Sequence, residues 1–458
     1  MRRARTNGAR TDEARTATMR NRDRAASHRS LIPPPLAEAA RPPIIPRSAA
    51  ISSTLLPRGT RPTCEPYHDS PAVTPLPLGR AVRSAWRLDP DFLTVNHGSF
   101  GATPLQVQAA QQEWRARMEA QPTRFMRAIL PDALREAADC LASFLGAEGK
   151  DLGFVDNATA GCNAVLRSLR LEPGDEVLVL THGYNAVRNT VRFVTERAGA
   201  RMTEVAVPFP DPDADGIVAS VAAGLTARTR LAVIDHITSA SALVLPLSRI
   251  TAVCHAAGVP VLVDGAHAPG HLDLDVPATG ADWYTGNCHK WLCAPKGVAF
   301  LWASADRQRD LHPTVISHGL GKGFLTEFDW TGTRDPSGAL SVPDAIEFHQ
   351  QLGGAALRAR NIALAAVATG MLARRLNTEV GASGDLAGAM GVVRLPVPVS
   401  DAMAQTLRDR LLAAGTDAPV FLFERAVWLR LSAFAYNDPE DYARLADLVA
   451  RVMREVAP

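Results

Sequence analysis

From about residue 86 onward the chain alternates short, almost wholly apolar runs with longer stretches in which apolar residues recur every three to four positions. The short runs fall at 152–155, 176–180, 201–207, 230–235, 259–264, 282–284 and 297–302. Runs this short, without polar alternation, read as strands buried on both faces, and the stretches between them as covering helices. The pattern predicts an α/β fold with a large, mainly parallel sheet of the seven-stranded type, covered by helices. After residue 341 the pattern changes to a long helix over 344–376, a strand at 392–395, a helix from Asp401, strands near Val420 and at 427–431, and a last helix. This predicts a smaller C-terminal α+β domain at 341–458, after a large domain at 84–340 that begins with an N-terminal arm. Within that arm, Thr103-Pro104-Leu105-Gln106 reads as a helix start, with Thr103 as N-cap and Gln106 returning the bond.

Residues 1–83 lack either period and are read as a disordered Arg/Pro-rich extension. The first 80 residues hold 12 of the 33 prolines, and 14 arginines against 6 acids. That segment carries +8 of a chain total of +2, which leaves −6 for the remaining 378 residues and removes the case for nucleic-acid binding by the folded part. An inert extension and a basic tail that touches nucleic acid or anionic membrane both fit residues 1–80. No apolar run reaches the roughly 18 to 20 residues a bilayer crossing requires, so no membrane partner is expected. Six scattered cysteines without a CxxC pair argue for reduced thiols and a cytoplasmic location.

Lysine is scarce: Lys150, Lys290, Lys296 and Lys322 stand against 45 arginines. Lys290 lies in Gly286-Asn287-Cys288-His289-Lys290-Trp291, directly after an apolar strand, and a lysine in a partly dry loop can act as a neutral amine where arginine cannot. Asp264 closes the run 259–264, where a carboxylate needs a cation or strong donors; a helix cap or a structural ion pair would also serve. Asn157-Ala158-Thr159-Ala160-Gly161 follows another strand and opens a helix, a setting for a phosphate or for ordinary capping. Ligands of open α/β sheets sit beyond the carboxyl ends of the strands. Taken together, an amine, a buried carboxylate and a phosphate-binding turn at such ends match the needs of pyridoxal 5′-phosphate.

These residues, with Asn96-His97-Gly98-Ser99-Phe100-Gly101, Asp264-Gly265-Ala266-His267, Ala294-Pro295-Lys296-Gly297, Trp330-Thr331-Gly332-Thr333-Arg334-Asp335 and Arg430-Leu431-Ser432, give residues 88–458 a resemblance. The chain resembles class V aminotransferase-fold enzymes of pyridoxal-phosphate fold type I, and most closely the isopenicillin N epimerase-like group. The resemblance implies that Lys290 bonds to the cofactor as a Schiff base and that Asp264 pairs with its ring nitrogen. It places His267 beside the phenolic edge, Ala158, Thr159 and His289 at the phosphate, and Tyr184 stacked on the ring. Ser239 is the best candidate for the phenolic oxygen. Thr333 would reach the phosphate of a neighbouring subunit, making a homodimer, and Arg430 would clamp the substrate α-carboxylate. Tyr184 or His182 would serve as an acid opposite Lys290.

His97 and Ser99 are read as possible substrate contacts, although for His97 and His318 a satisfied polar role fits as well. The spacing of Cys288, His289 and Cys293 matches no zinc pattern, so no metal is expected. Gly319–Gly323 reads as a mobile loop or a plain turn. No cysteine lies between Gly415 and Arg430, where desulfurases of this class carry their nucleophile, which argues against persulfide chemistry. The implied activity is at the α-carbon of an amino-acid-type substrate: epimerisation, with C–S lysis or transamination as alternatives. A non-catalytic binding protein on the same scaffold is the remote alternative.

Overall fold

The computed structural model describes residues 75–456. Most of the Arg/Pro-rich extension therefore lies outside the described residues. Its last part, expected to be disordered up to residue 83, is ordered: Gly79–Ala85 forms a 3₁₀ turn whose Gly79 N–H donates to Ala435 O at 2.7 Å, and Val82 and Trp86 are buried. Two apolar residues four apart, each with a core to enter, outweigh the prolines just before them.

Seven strands form the large sheet: β1 Leu152–Val155, β2 Glu176–Leu180, β3 Arg201–Val205, β4 Thr229–Asp235, β5 Val261–Asp264, β6 Trp283–Asn287 and β7 Ala299–Ala303. Their order is β1-β7-β6-β5-β4-β2-β3, parallel throughout except that β7 runs antiparallel to both β1 and β6. The apolar runs alternate between two cores. Leu178, Leu180, Ala232, Ile234, Val261 and Val263 enter one, while Val177, Val179, Leu231, Val233 and Leu262 enter the other. Both faces are covered, which is why these strands show no polar alternation. β5 starts two residues later than the sequence suggests because Pro260 has no N–H to donate, though its carbonyl still accepts from Ala232 N at 3.0 Å.

A three-stranded antiparallel sheet follows, β8 Met390–Leu395, β9 Val420–Phe423 and β10 Ala426–Ser432, in the order β8-β10-β9. Helices Ala355–Leu376, Asp401–Ala413 and Pro439–Val456 pack around it over a core that includes Leu395, Leu407, Leu429 and Leu445. The single long helix expected over 344–376 is instead two helices, Val342–Gln351 and Ala355–Leu376. Gly353 and Gly354 between them take φ of +105° and +51°, outside helical geometry. The capping box at Thr103 does not form either. The helix Leu105–Ala120 begins after Pro104 with no side-chain cap, and the Thr103 hydroxyl donates to Ala294 O at 3.2 Å instead. No helix among the described residues is long and apolar enough to cross a membrane.

Candidate active site

The sheet order reverses between β2 and β4, and β1, β2, β4, β5 and β6 all end on the same edge, as expected of a ligand site in an open α/β sheet. Asp264, the last residue of β5, is 3% exposed, and burial pushes its carboxyl up while the Ala266 N–H and the Lys290 charge pull the other way. Its Oδ1 accepts from Ala266 N at 3.0 Å. Among the described residues nothing donates to Oδ2, which leaves a buried acceptor for a cationic ring nitrogen.

β6 continues through Asn287, so the turn carrying Lys290 begins at Cys288 rather than at Gly286. Two backbone bonds close that turn, Cys293 N to Lys290 O at 3.1 Å and Ala294 N to Cys288 O at 3.0 Å, with Cys293 at a left-handed φ of +62°. The Lys290 amine is 3.1 Å from His267 Nε2. Burial is the main cause that brings its pKa down to about 8; the Arg430 charge adds to this and Asp264 opposes it. His267 is held well below the ordinary histidine range, chiefly by burial and then by Lys290, so it is neutral. Trp291 Nε1 can only donate, and it faces His267 Nδ1 at 3.4 Å. That places the ring proton on Nε2, pointing at the amine, which can accept it only as a neutral group. Three features of the site thus favour the form of Lys290 that attacks an aldehyde or takes a proton.

At the end of β1, Asn157 caps the helix Ala158–Ser168 by accepting from Ala160 N at 2.9 Å. The Ala158 N–H, expected to serve a phosphate, donates to Asn287 Oδ1 at 2.9 Å. Among the described residues nothing pairs with the Thr159 N–H or hydroxyl, which stand at the positive end of the helix and suit a phosphate. His289 donates from Nδ1 to Val298 O at 3.1 Å and is held down to about 4, mainly by burial. Its Nε2 is therefore an acceptor, and it can serve a phosphate only by sharing a proton with it. The acceptor, the amine and this turn fit pyridoxal phosphate.

Arg430, from the central strand β10, is 5% exposed. Its Nη1 donates to Ser239 O at 2.6 Å, and Nη2 donates to Ser99 Oγ at 2.7 Å and Asn96 Oδ1 at 3.2 Å. Its Nε is buried with no partner among the described residues, and its planar fork suits a carboxylate. Burial lowers its pKa to about 10, against the pull of Asp417, and leaves it charged. Ser239, expected at the cofactor's phenolic oxygen, has its carbonyl and hydroxyl turned to Arg430, accepting from Nη1 at 2.6 and 3.3 Å. Ser99 likewise holds Arg430.

Tyr184 occupies the N-cap position of the helix Asn185–Ala198 without a side-chain capping bond, is 44% exposed, and bears electrostatically on Arg430. His182 does not line the site. It is 1% exposed and bonded through Nδ1 to Ser241 Oγ at 2.7 Å. His97 is buried too, with both nitrogens taken: Nε2–H donates to Lys290 O at 3.1 Å, Nδ1 accepts from Tyr436 Oη–H at 2.9 Å, and the ring stacks on Phe434. The structure makes it a brace for the Lys290 turn, not a substrate contact. Thr333 is exposed, beside Arg334, which pairs with Asp156 at 3.2 Å. Asp235 at the end of β4 was missed in the sequence, although it satisfies the same strand-end rule that drew attention to Asp264.

Comparison with known proteins agrees with this geometry. The family model described as Aminotransferase class-V matches residues 101–441. The probable chloroplastic L-cysteine desulfhydrase of Arabidopsis thaliana is 34% identical over 399 residues, covering 80% of this chain and 84% of the relative. Isopenicillin N epimerase of Streptomyces clavuligerus is 34% identical over 384 residues, covering 80% and 96%. Among solved structures, the Escherichia coli cysteine desulfurase CsdA superposes with a TM-score of 0.67 at 21% identity over 82% of this chain and 98% of its own. The cystine C–S lyase C-DES gives 0.67 at 22% over 80% and 98%. At these identities the two structures speak to the fold alone. Strand-end chemistry, sheet topology and sequence matches agree: the chain belongs to the aminotransferase class-V family of pyridoxal-phosphate enzymes.

Proposed function

We propose that the chain removes the α-proton of an amino acid and delivers another proton to the opposite face, an epimerase of the isopenicillin N epimerase kind. The observation that carries this reading is the Lys290 amine, brought down to about 8 and 3.1 Å from His267 Nε2, between the buried Asp264 and Arg430 charges. Bound pyridoxal phosphate supplies an electron sink conjugated to the substrate α-carbon. Lys290 takes the proton there, Arg430 fixes the carboxylate, and Asp264 holds the ring nitrogen in its charged form. Tyr184 is the candidate acid on the other face.

A second reading is β-elimination from cysteine. Relatives bearing the name L-cysteine desulfhydrase match as well as the epimerases do, and elimination needs no acid opposite Lys290. In both readings the enzyme is a homodimer, a part of the proposal supported by the exposed Thr333 next to a cavity of about 240 Å³ lined by Lys296, Gly332 and Arg334. A cytoplasmic location stays in the proposal on the sequence argument alone.

The test is incubation of the cofactor-loaded chain with isopenicillin N and with L-cysteine in deuterated water. Deuterium at the α-carbon with loss of chirality supports the epimerase. Pyruvate, ammonia and sulfide from cysteine, without epimerisation, move the assignment to the lyase. Absence of both α-exchange and pyruvate release with either substrate overturns both readings.

A further inference from the structure

Two acids end adjacent strands. Asp235 closes β4, Asp264 closes β5, and the parallel register pairs them directly. Leu231, Val233 and Asp235 alternate onto one face of the sheet, and Leu262 and Asp264 onto the same face, so the two carboxylates stand side by side, about 5 Å apart at the backbone. They are 5% and 3% exposed. Neither forms an ion pair with any described residue, and each receives one backbone N–H: Tyr184 N to Asp235 Oδ1 at 3.3 Å and Ala266 N to Asp264 Oδ1 at 3.0 Å.

The groups that face the pair come from four elements. Arg188, on the helix after Tyr184, acts on Asp235, but its guanidinium is bonded to Glu204. Lys290, on the turn after β6, acts on Asp264. Cys162, from the helix Ala158–Ser168, and Tyr284, from β6, are neutral and fully buried. Two negative charges this close, this dry and this poorly paired repel strongly. Asp264 receives the shorter of the two backbone bonds, 3.0 Å against 3.3 Å, so its negative charge is the better stabilised and the proton belongs on Asp235.

We propose that Asp235 and Asp264 hold one proton between them, and that Asp235 is a positioning residue that stays neutral so that Asp264 alone presents a negative charge to the cofactor's ring nitrogen. Its use rests on the cofactor reading above, whereas the shared proton does not. Burial and the neighbouring carboxylate raise the Asp235 pKa above that of an unfolded aspartate. Such a group contributes stability in full below the unfolded value and loses it as pH rises through the folded one.

The experiment is denaturant unfolding of the full chain without cofactor from pH 5 to 9, in the wild type and in Asp235→Asn, whose amide mimics the neutral acid. The wild-type unfolding constant should rise by up to about tenfold per pH unit relative to the variant. Identical pH profiles overturn the proposal. Infrared spectra of the wild type at pH 8 give a reading that needs no variant: a protonated-carboxyl stretch is expected, and its absence overturns the shared proton. Pyridoxal phosphate titrated into both chains at pH 6, followed by visible absorbance, should bind within a few-fold, because each then presents one negative charge to the ring nitrogen. If the cofactor binds neither chain, the cofactor reading fails while the unfolding profiles still decide the pair.

Discussion

Replacing His97 with phenylalanine separates a brace from a substrate contact. In the native fold the His97 ring joins Lys290 O to Tyr436 Oη and stacks on Phe434 at 3.6 Å. Phenylalanine keeps the stack and most of the volume but leaves the buried Tyr436 hydroxyl unpaired and takes one of two donors from the Lys290 carbonyl, which keeps its bond from Cys293 N. At about 1–3 kcal/mol for the unsatisfied hydroxyl and about 0.5–1.5 kcal/mol for the bond lost at the carbonyl, the loss is about 1.5–4.5 kcal/mol. pH adds an independent signature. Burial lowers the His97 pKa to about 3 from 6.5, so below pH 6.5 the unfolded chain binds a proton that the native one does not. Its stability is therefore complete above pH 6.5 and declines toward pH 3, by about 1.4 kcal/mol per pH unit for this residue. Urea unfolding at pH 7.5 and 5.5 should show the variant less stable at the higher pH and less sensitive to the lower one. Steady-state kinetics should show kcat reduced, because the Lys290 turn loses its anchor, with KM little changed, because Arg430 keeps its own partners. A variant of native stability with a raised KM would refute the reasoning and return His97 to the substrate.

Three further outcomes follow from the same geometry. Arg430→Lys removes the planar fork, so KM for the amino acid should rise about 100-fold or more, equivalent to about 3 kcal/mol, with the cofactor still bound; steady-state kinetics and cofactor absorbance check it. Gly161→Ala puts a Cβ 2.2 Å from Thr285 Oγ1, which lifts the helix bearing Thr159 off the sheet, and should cost about 1–3 kcal/mol in urea unfolding and weaken cofactor retention on dialysis. Tyr184→Phe should abolish inversion while leaving α-deuterium exchange in place, as measured by chiral chromatography beside mass spectrometry.

The architecture was legible because buried parallel strands advertise themselves as apolar runs, and the strands at 152–155 and 176–180 lie where those runs do. Lys290 and Asp264 could be found because reactive polar residues directly after such runs have few reasons to be there, whereas Arg430 came from the family resemblance alone. Other features depend on partners that only the fold brings near. Arg430 draws on Ser99 and Ser239, which are 331 and 191 residues away in sequence, and nothing local marks either as part of its cradle. Ala158 was assigned to the phosphate because helix N-termini offer free N–H groups; Asn287, 129 residues further on, claims that one. The helix break at Gly353-Gly354 was visible in the sequence, but two adjacent glycines are compatible with a continuous helix until their φ values are known. Asp235 is a different case, since the rule that found Asp264 applied to it equally.

The central claim is that Lys290 is the amine that carries the cofactor and works on the α-carbon. Reductive trapping tests it most directly: the full chain is loaded with pyridoxal phosphate, reduced with borohydride, digested and mapped by mass spectrometry. The account predicts one phosphopyridoxyl adduct, on the peptide containing Lys290, and none in Lys290→Ala. An adduct on Lys296 or Lys322, or no adduct in a chain that still turns over amino acids, would contradict it.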